Sequence, residues 1–193
     1  MTHAAWADLF EPRARTHAVA YNSALILGGS LLLALSAQVA FRVGPVPVSA
    51  QTLAAVLVGA LLGSRRGAAA VLAYLAEGAA GLPVFAGGAG GLFYMAGPTG
   101  GYLVGFLPAA WLTGFLAERG WDRRMATALV AMFLGHVMIY ACGLPWLATF
   151  LGVRQALAQG LYVFIWGDLG KIALATALLP GGWRVLGMHD RRG

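Results

Sequence analysis

Apolar residues in this chain do not alternate with polar ones; they gather into six stretches that are greasy on every side. These cover residues 19–41, 51–63, 67–81, 100–117, 125–147 and 157–179. A helix that is hydrophobic all round is buried in a large core or lies in a membrane. A full crossing takes ~20 residues, so the second and third stretches are short and rely on tight packing or flanking residues. Their Ala, Gly, Leu and Val content permits close helix contact. The pattern predicts an all-α membrane protein, a bundle of six transmembrane helices over residues 19–180. A tail or interfacial helix (1–18) precedes it and a basic tail (181–193) follows. Trp6, Leu9, Phe10 and Arg13 stand at helical spacing in the first tail, as in an interfacial helix. The first stretch resembles a signal-peptide core, but the residues before it and the spans after it make it an uncleaved helix.

One segment breaks the helical pattern without becoming polar. Residues 81–105 read GLPVFAGGAGGLFYMAGPTGGYLVG and carry no charge. Such a run is too rich in glycine for one helix and too apolar for a solvated loop. Irregular backbone at membrane depth is tolerated where it is buried in protein or lines a cavity. The segment is therefore expected to fold over or into the bundle as a lid or re-entrant wall, its amides close to a ligand.

Composition sharpens this picture. The chain is 60% hydrophobic and only 10% charged, well below the quarter charged of soluble domains. Its net charge of +6 comes from scattered arginines and lacks the clustering of a nucleic-acid groove. Arg13, Arg15, Arg65, Arg66, Arg119, Arg123, Arg124, Arg184, Arg191 and Arg192 fall on one side of a six-span topology, and Arg42 and Arg154 on the other. Cytoplasmic loops carry the excess, so both termini are expected inside. Trp121, Trp146 and Trp183 stand near span ends, as interfacial aromatics do. Cys142 is the sole cysteine and reads as a buried thiol.

Candidate chemistry is sparse. The glycine-rich segment lacks the Lys-Ser/Thr of a phosphate loop and the flanking strand of a dinucleotide fingerprint, so the chain is not expected to hydrolyse ATP. No serine–histidine, paired-carboxylate or metal-ligand constellation is present; neither enzymatic activity nor a cofactor is expected. His136 and Tyr140, four apart, suit a helix–helix hydrogen bond. Glu77, near the end of the third stretch, either contacts a ligand or pairs with Arg42 across the outer loops; the structural role is favoured, as acids near span ends often lie at the interface. Asp168 and Lys171, the only lysine, stand one turn apart inside the last stretch. Ionisable groups there are costly unless they serve each other, a ligand or a water-filled pocket. They are either a self-neutralising staple or a clamp, the lysine for a carboxylate and the aspartate for N–H groups. Tyr162 and Trp166 on the same helix would wall an apolar ligand or face lipid. Gln51 opens the second stretch, or faces the pocket mouth.

Several runs together resemble one family. Gly81-Leu82-Pro83-Val84-Phe85-Ala86-Gly87-Gly88, Gly97-Pro98-Thr99-Gly100-Gly101-Tyr102, Val46-Pro47-Val48-Ser49-Ala50-Gln51-Thr52 and Gly167-Asp168-Leu169-Gly170-Lys171 look like the signature of BioY proteins. These are the biotin-binding S components of energy-coupling factor (ECF) transporters. The resemblance implies a multi-pass protein of the bacterial inner membrane that captures biotin from outside. An ECF transmembrane coupling protein and ATP-binding-cassette ATPases would supply the power. It also implies biotin contacts from Asp168 and Lys171, with Lys171 on the carboxylate and Asp168 on the ureido N–H groups. The glycine segment, with Phe85, Gly87, Gly88, Gly90 and Gly91, would cover the rings. The first outer loop, 45–51, would gate access. Small residues of the first helix, Ser30, Ala34 and Ala40, would dock the partner.

Overall fold

The computed structural model describes residues 5–10, 12, 14–41 and 44–185, without the side chains of Phe10, Arg15, Arg184 and Val185. Its helices are α1 (Arg15–Gln38), α2 (Gln51–Leu62), α3 (Ser64–Ala79), α4 (Leu92–Ala96), α5 (Gly100–Ala117), α6 (Met125–Leu151), α7 (Val153–Leu157) and α8 (Val163–Val185). A two-residue hairpin, β1 (Ala40–Phe41) and β2 (Val48–Ser49), closes the loop between α1 and α2, with Ala40 opposite Ser49.

Four described helical stretches are long and apolar enough to cross a membrane: Thr16–Gln38, Gly100–Ala117, Met125–Leu151 and Val153–Trp183. The other two expected spans are helical but short. α2 has 12 residues and α3 has 16, roughly 18 and 24 Å at the helical rise, against ~30 Å of hydrocarbon.

The elbow between α2 and α3 is Gly63, whose φ of 85° favours glycine. Beyond it, Glu118 at the end of α5 accepts from the Ser64 amide at 2.7 Å and the Ser64 hydroxyl at 2.8 Å, supplying the cap that the start of α3 needs. α2, α3 and α5 meet almost backbone to backbone. A Cβ on Gly59 would lie 2.2 Å from the Ala110 carbonyl oxygen, so a side chain there would force the helices apart. α5 is the axis of the bundle, its Ala109, Ala110 and Thr113 fully buried. α8 continues from α7 through a π-helical turn, Ala158–Tyr162.

Before α1, where a tail or an interfacial helix is expected, the described residues form a short 3-10 helix, Trp6–Phe10. Its Asp8 pairs with Arg66 at 2.5 Å. Trp183 is buried, not interfacial: its Nε1 donates to Asp122 at 2.6 Å, and its ring packs 4.8 Å from that of Trp6. A polar partner within the protein replaces the headgroup region. Arg13, Arg42, Arg191 and Arg192 lie outside the described residues, and so does the pairing of Glu77 with Arg42.

Candidate functional site

Lys171 and Asp168 face inward from α8 and meet at 2.7 Å. Each finds further partners on other elements. The Lys171 ammonium donates to the Ser49 carbonyl oxygen at 2.7 Å and to Thr52 Oγ1 at 2.9 Å. Thr52 also donates to Asp168 Oδ1 at 3.1 Å, and Tyr140 on α6 donates a short hydrogen bond to Oδ2. All three ammonium hydrogens are therefore engaged. The burial cost of two charges is offset because both oxygens and all donors are satisfied. α2, α6, α8 and the first loop converge on this one knot.

A small cavity of about 30 Å³ lies against the knot, room for little more than a water, so a larger ligand has to part its walls. Val46, Leu103, Phe106 and Phe164 give it apolar walls; Ser49, Gln51, Thr52, Tyr102 and Tyr140 line its polar side. Thr52 and Tyr140 belong to both the lining and the knot, so Asp168 and Lys171 stand one layer behind the wall. Tyr102 donates to the Gly160 carbonyl at 2.9 Å. That carbonyl lies in the π-helical turn, where the backbone departs from the regular ladder. Pro47, Tyr94 and Thr99 also line a second, outer cleft of about 330 Å³, and so form a neck between the two spaces.

Other expected site residues lie elsewhere. Tyr162 and Trp166 are 62% and 79% exposed and line neither space, which corrects their place as walls. Two residues along a helix is a turn of about 200°, so with Asp168 inward Trp166 faces outward. Phe164, four before Asp168, takes the inward position.

Gly87, Gly88, Gly90 and Gly91 do not line the cavity. Their backbone closes on itself: the Phe85 amide donates to Ala89 O at 2.9 Å, Gly88 to Phe85 O at 3.1 Å and Gly91 to Gly78 O at 2.6 Å. Phe85 is fully buried beneath the turn. A Cβ on Gly78 would sit 1.9 Å from its Cζ. It is the end of the segment, Tyr94 and Thr99, that reaches the cavity. Gln51 does line it, but its carboxamide is engaged. Nε2 donates to Tyr74 at 2.5 Å, and Oε1 accepts from Ser49 at 2.9 Å.

The docking stripe also needs correction. Ser30 is 1% exposed and turns inward, donating to Glu77 at 2.6 Å; Ala34 and Ala40 are half-buried. Small residues on the open face of α1 include Ala20, Ala24 and Gly28 at four-residue spacing, with nothing near a Cβ on Gly28.

Sequence reading missed Thr52, Tyr102, Phe106 and Phe164, and left Tyr140 outside the site. Tyr102 and Phe106 are one turn apart beside the Gly97–Gly101 motif, which was a usable signal. Thr52 and Tyr140 gave none, because only the packing of α2 and α6 against α8 brings them to Asp168. His136, in contrast, bonds within its own helix, Nδ1 to Met132 O at 2.9 Å. Among the described residues no cluster of His, Cys, Asp or Glu could hold a metal ion.

Comparison with known proteins agrees with this architecture. The family model described as "BioY family" matches residues 10–188. The chain is 40% identical over 142 residues to "Biotin transporter BioY" of Rhizobium etli, covering 69% of this chain and 76% of the relative. It is 41% identical over 163 residues to "Biotin transporter BioY" of Rhodobacter capsulatus, covering 77% and 85%. A solved crystal structure, the S-component for biotin from an ECF-type ABC transporter, superposes with a TM-score of 0.79 at 26% identity over 90% of this chain and 95% of that one. The chain belongs to the BioY family.

Proposed function

We propose that this protein captures biotin and acts in its uptake as the substrate-binding S component of an ATP-driven ECF transporter. It is a transport component, not an enzyme. The observation that carries this reading is a cavity with apolar walls whose polar side is backed by the Asp168–Lys171 pair. Biotin is a largely apolar acid with a ureido ring; the cavity supplies apolar surface, and the cation and the carboxylate acceptor stand one layer behind its polar side, to be reached through Thr52 and Tyr140. The biotin transporters among its relatives and the similar solved S-component for biotin support biotin as the ligand.

In this reading the protein is a multi-pass protein of the bacterial plasma membrane with six helices crossing: α1, α2, α3, α5, α6 and the α7–α8 unit. Both termini are cytoplasmic, as the arginine distribution favours. The neck of Pro47, Tyr94 and Thr99 opens outward. Power comes from the ECF coupling protein and its ATPases, because the chain has no nucleotide motif. Docking through the first helix uses the open face of Ala20, Ala24 and Gly28, where small residues admit a neighbouring helix.

Calorimetric titration of the purified protein in detergent tests the reading, with biotin against thiamine and riboflavin as competitors. Biotin alone is expected to bind tightly and to resist displacement. The satisfied knot also favours a second reading, a purely structural staple, and Lys171→Met separates the two. Loss of biotin binding in a folded variant supports the clamp; unchanged affinity with a lowered melting temperature supports the staple.

A further inference from the structure

The neck of the cavity is built from two segments far apart in sequence. Pro47 comes from the loop between α1 and α2, whereas Tyr94 and Thr99 come from the glycine-rich segment. Behind the neck, the hydroxyl of Tyr74 on α3 lies between these segments. It accepts from Gln51 Nε2 at 2.5 Å and donates to the Val84 carbonyl at 3.2 Å. Gln51 in turn holds the Ser49 hydroxyl at 2.9 Å. A chain of hydrogen bonds thus runs from Ser49 through Gln51 and Tyr74 to Val84. An aromatic column continues it: Phe85 packs edge-on to Tyr74 and stacks on Tyr94, both at 5.4 Å. Tyr74 is fully buried and lines neither the cavity nor the outer cleft.

We propose that Tyr74 is a positioning residue that joins the two loops into one gate for the ligand. The proposal rests on the reading of this cavity as the biotin site. A buried phenol needs its hydrogen-bond partners. A loop that moves alone strips the buried hydroxyl of one of its two partners, and when Val84 leaves, the hydroxyl hydrogen loses its acceptor, which costs more than a water-exposed bond would. Opening is therefore concerted, and its rate is set at a side chain that never touches ligand. A purely space-filling aromatic would make do with phenylalanine at this position.

Hydrogen–deuterium exchange of the ligand-free protein in detergent tests this. Tyr74→Phe keeps the ring on Phe85 and removes the hydroxyl. Exchange in 48–52 and in 82–91 is expected to accelerate together, by roughly fivefold to tenfold for one lost hydrogen bond. Amides in the centre of α5 should keep wild-type rates, which a general loss of stability would not leave. Gln51→Leu cuts the chain from its other end and should accelerate 82–91. The double variant should be no faster there than either single one. In Tyr74→Phe, which leaves the cavity lining intact, biotin release should quicken by a similar factor. The proposal is overturned if Tyr74→Phe leaves both loops at wild-type rates, or if Gln51→Leu acts only on its own loop. A wild-type protein that fails to bind biotin would overturn the proposed function instead, with the exchange data still deciding whether the loops are joined.

Discussion

The ammonium of Lys171 lies 2.7 Å from the carbonyl oxygen of Ser49, 122 residues earlier in the chain. The same nitrogen holds Asp168 Oδ1 at 2.7 Å. One cation thus fastens the first loop to the last helix, while the aspartate beside it is held by α2 and α6 through Thr52 and Tyr140.

Removing only the cation should therefore harm more than removing both charges. Lys171→Met leaves a carboxylate buried without its counter-ion, a change that costs roughly 3–5 kcal/mol at buried pairs. Lys171→Met combined with Asp168→Asn leaves no charge and keeps an acceptor for Tyr140. Thermal unfolding in detergent without ligand should rank wild type and the double variant close together, with the single variant well below. If all three melt alike, the pair contributes little to the fold; if both variants fall equally far below wild type, the stranded carboxylate is not the cause.

Trp166 provides a control on the far side of the same helix. Its side chain is 79% exposed and faces away from the cavity. Trp166→Leu should leave biotin affinity unchanged within about twofold, the roughly 0.5 kcal/mol scatter of surface substitutions. A tenfold loss in titration would return Trp166 to the site.

Gly78 sits under the ring of Phe85, and a Cβ there would lie 1.9 Å from Cζ. Overpacking of this kind typically costs about 1–3 kcal/mol. Gly78→Ala should lower the melting temperature and loosen the glycine segment, read as faster proteolysis between residues 81 and 91. Pairing it with Phe85→Leu, which vacates the clashing atoms, should recover part of the loss.

Asp122, in the loop between α5 and α6, is buried, and burial is the main cause of a carboxyl held above its ordinary range; the Trp183 hydrogen bond partly opposes this. A group that binds its proton more tightly when folded makes the protein more stable at acid pH. That contribution is lost as pH rises from the ordinary carboxylate value through the raised one. Asp122→Asn removes the charge and keeps an acceptor for Trp183. The variant should gain melting temperature over wild type at pH 8 and gain less, or nothing, at pH 5. An equal shift at both values would mean the carboxyl titrates normally.

The sequence by itself determined the helical, membrane-spanning class, because unbroken apolar stretches admit few other folds. The helices α2 and α5 begin at the residues where the apolar pattern begins, Gln51 and Gly100. It also singled out Asp168 and Lys171, since two charges in so apolar a run stand out without any coordinates. Which faces turn inward was decided only by tertiary structure. Several helices here are apolar on all sides, so their periodicity does not mark a buried face, and Trp166, Tyr162 and Ser30 were misplaced for that reason. Glycines marked where the backbone would depart from a helix but not that the Gly88 amide would bond within its own turn and the Gly91 amide to the end of α3. Thr52, Tyr74 and Tyr140 acquire their roles from helices crossing at one depth, and that juxtaposition is a property of packing.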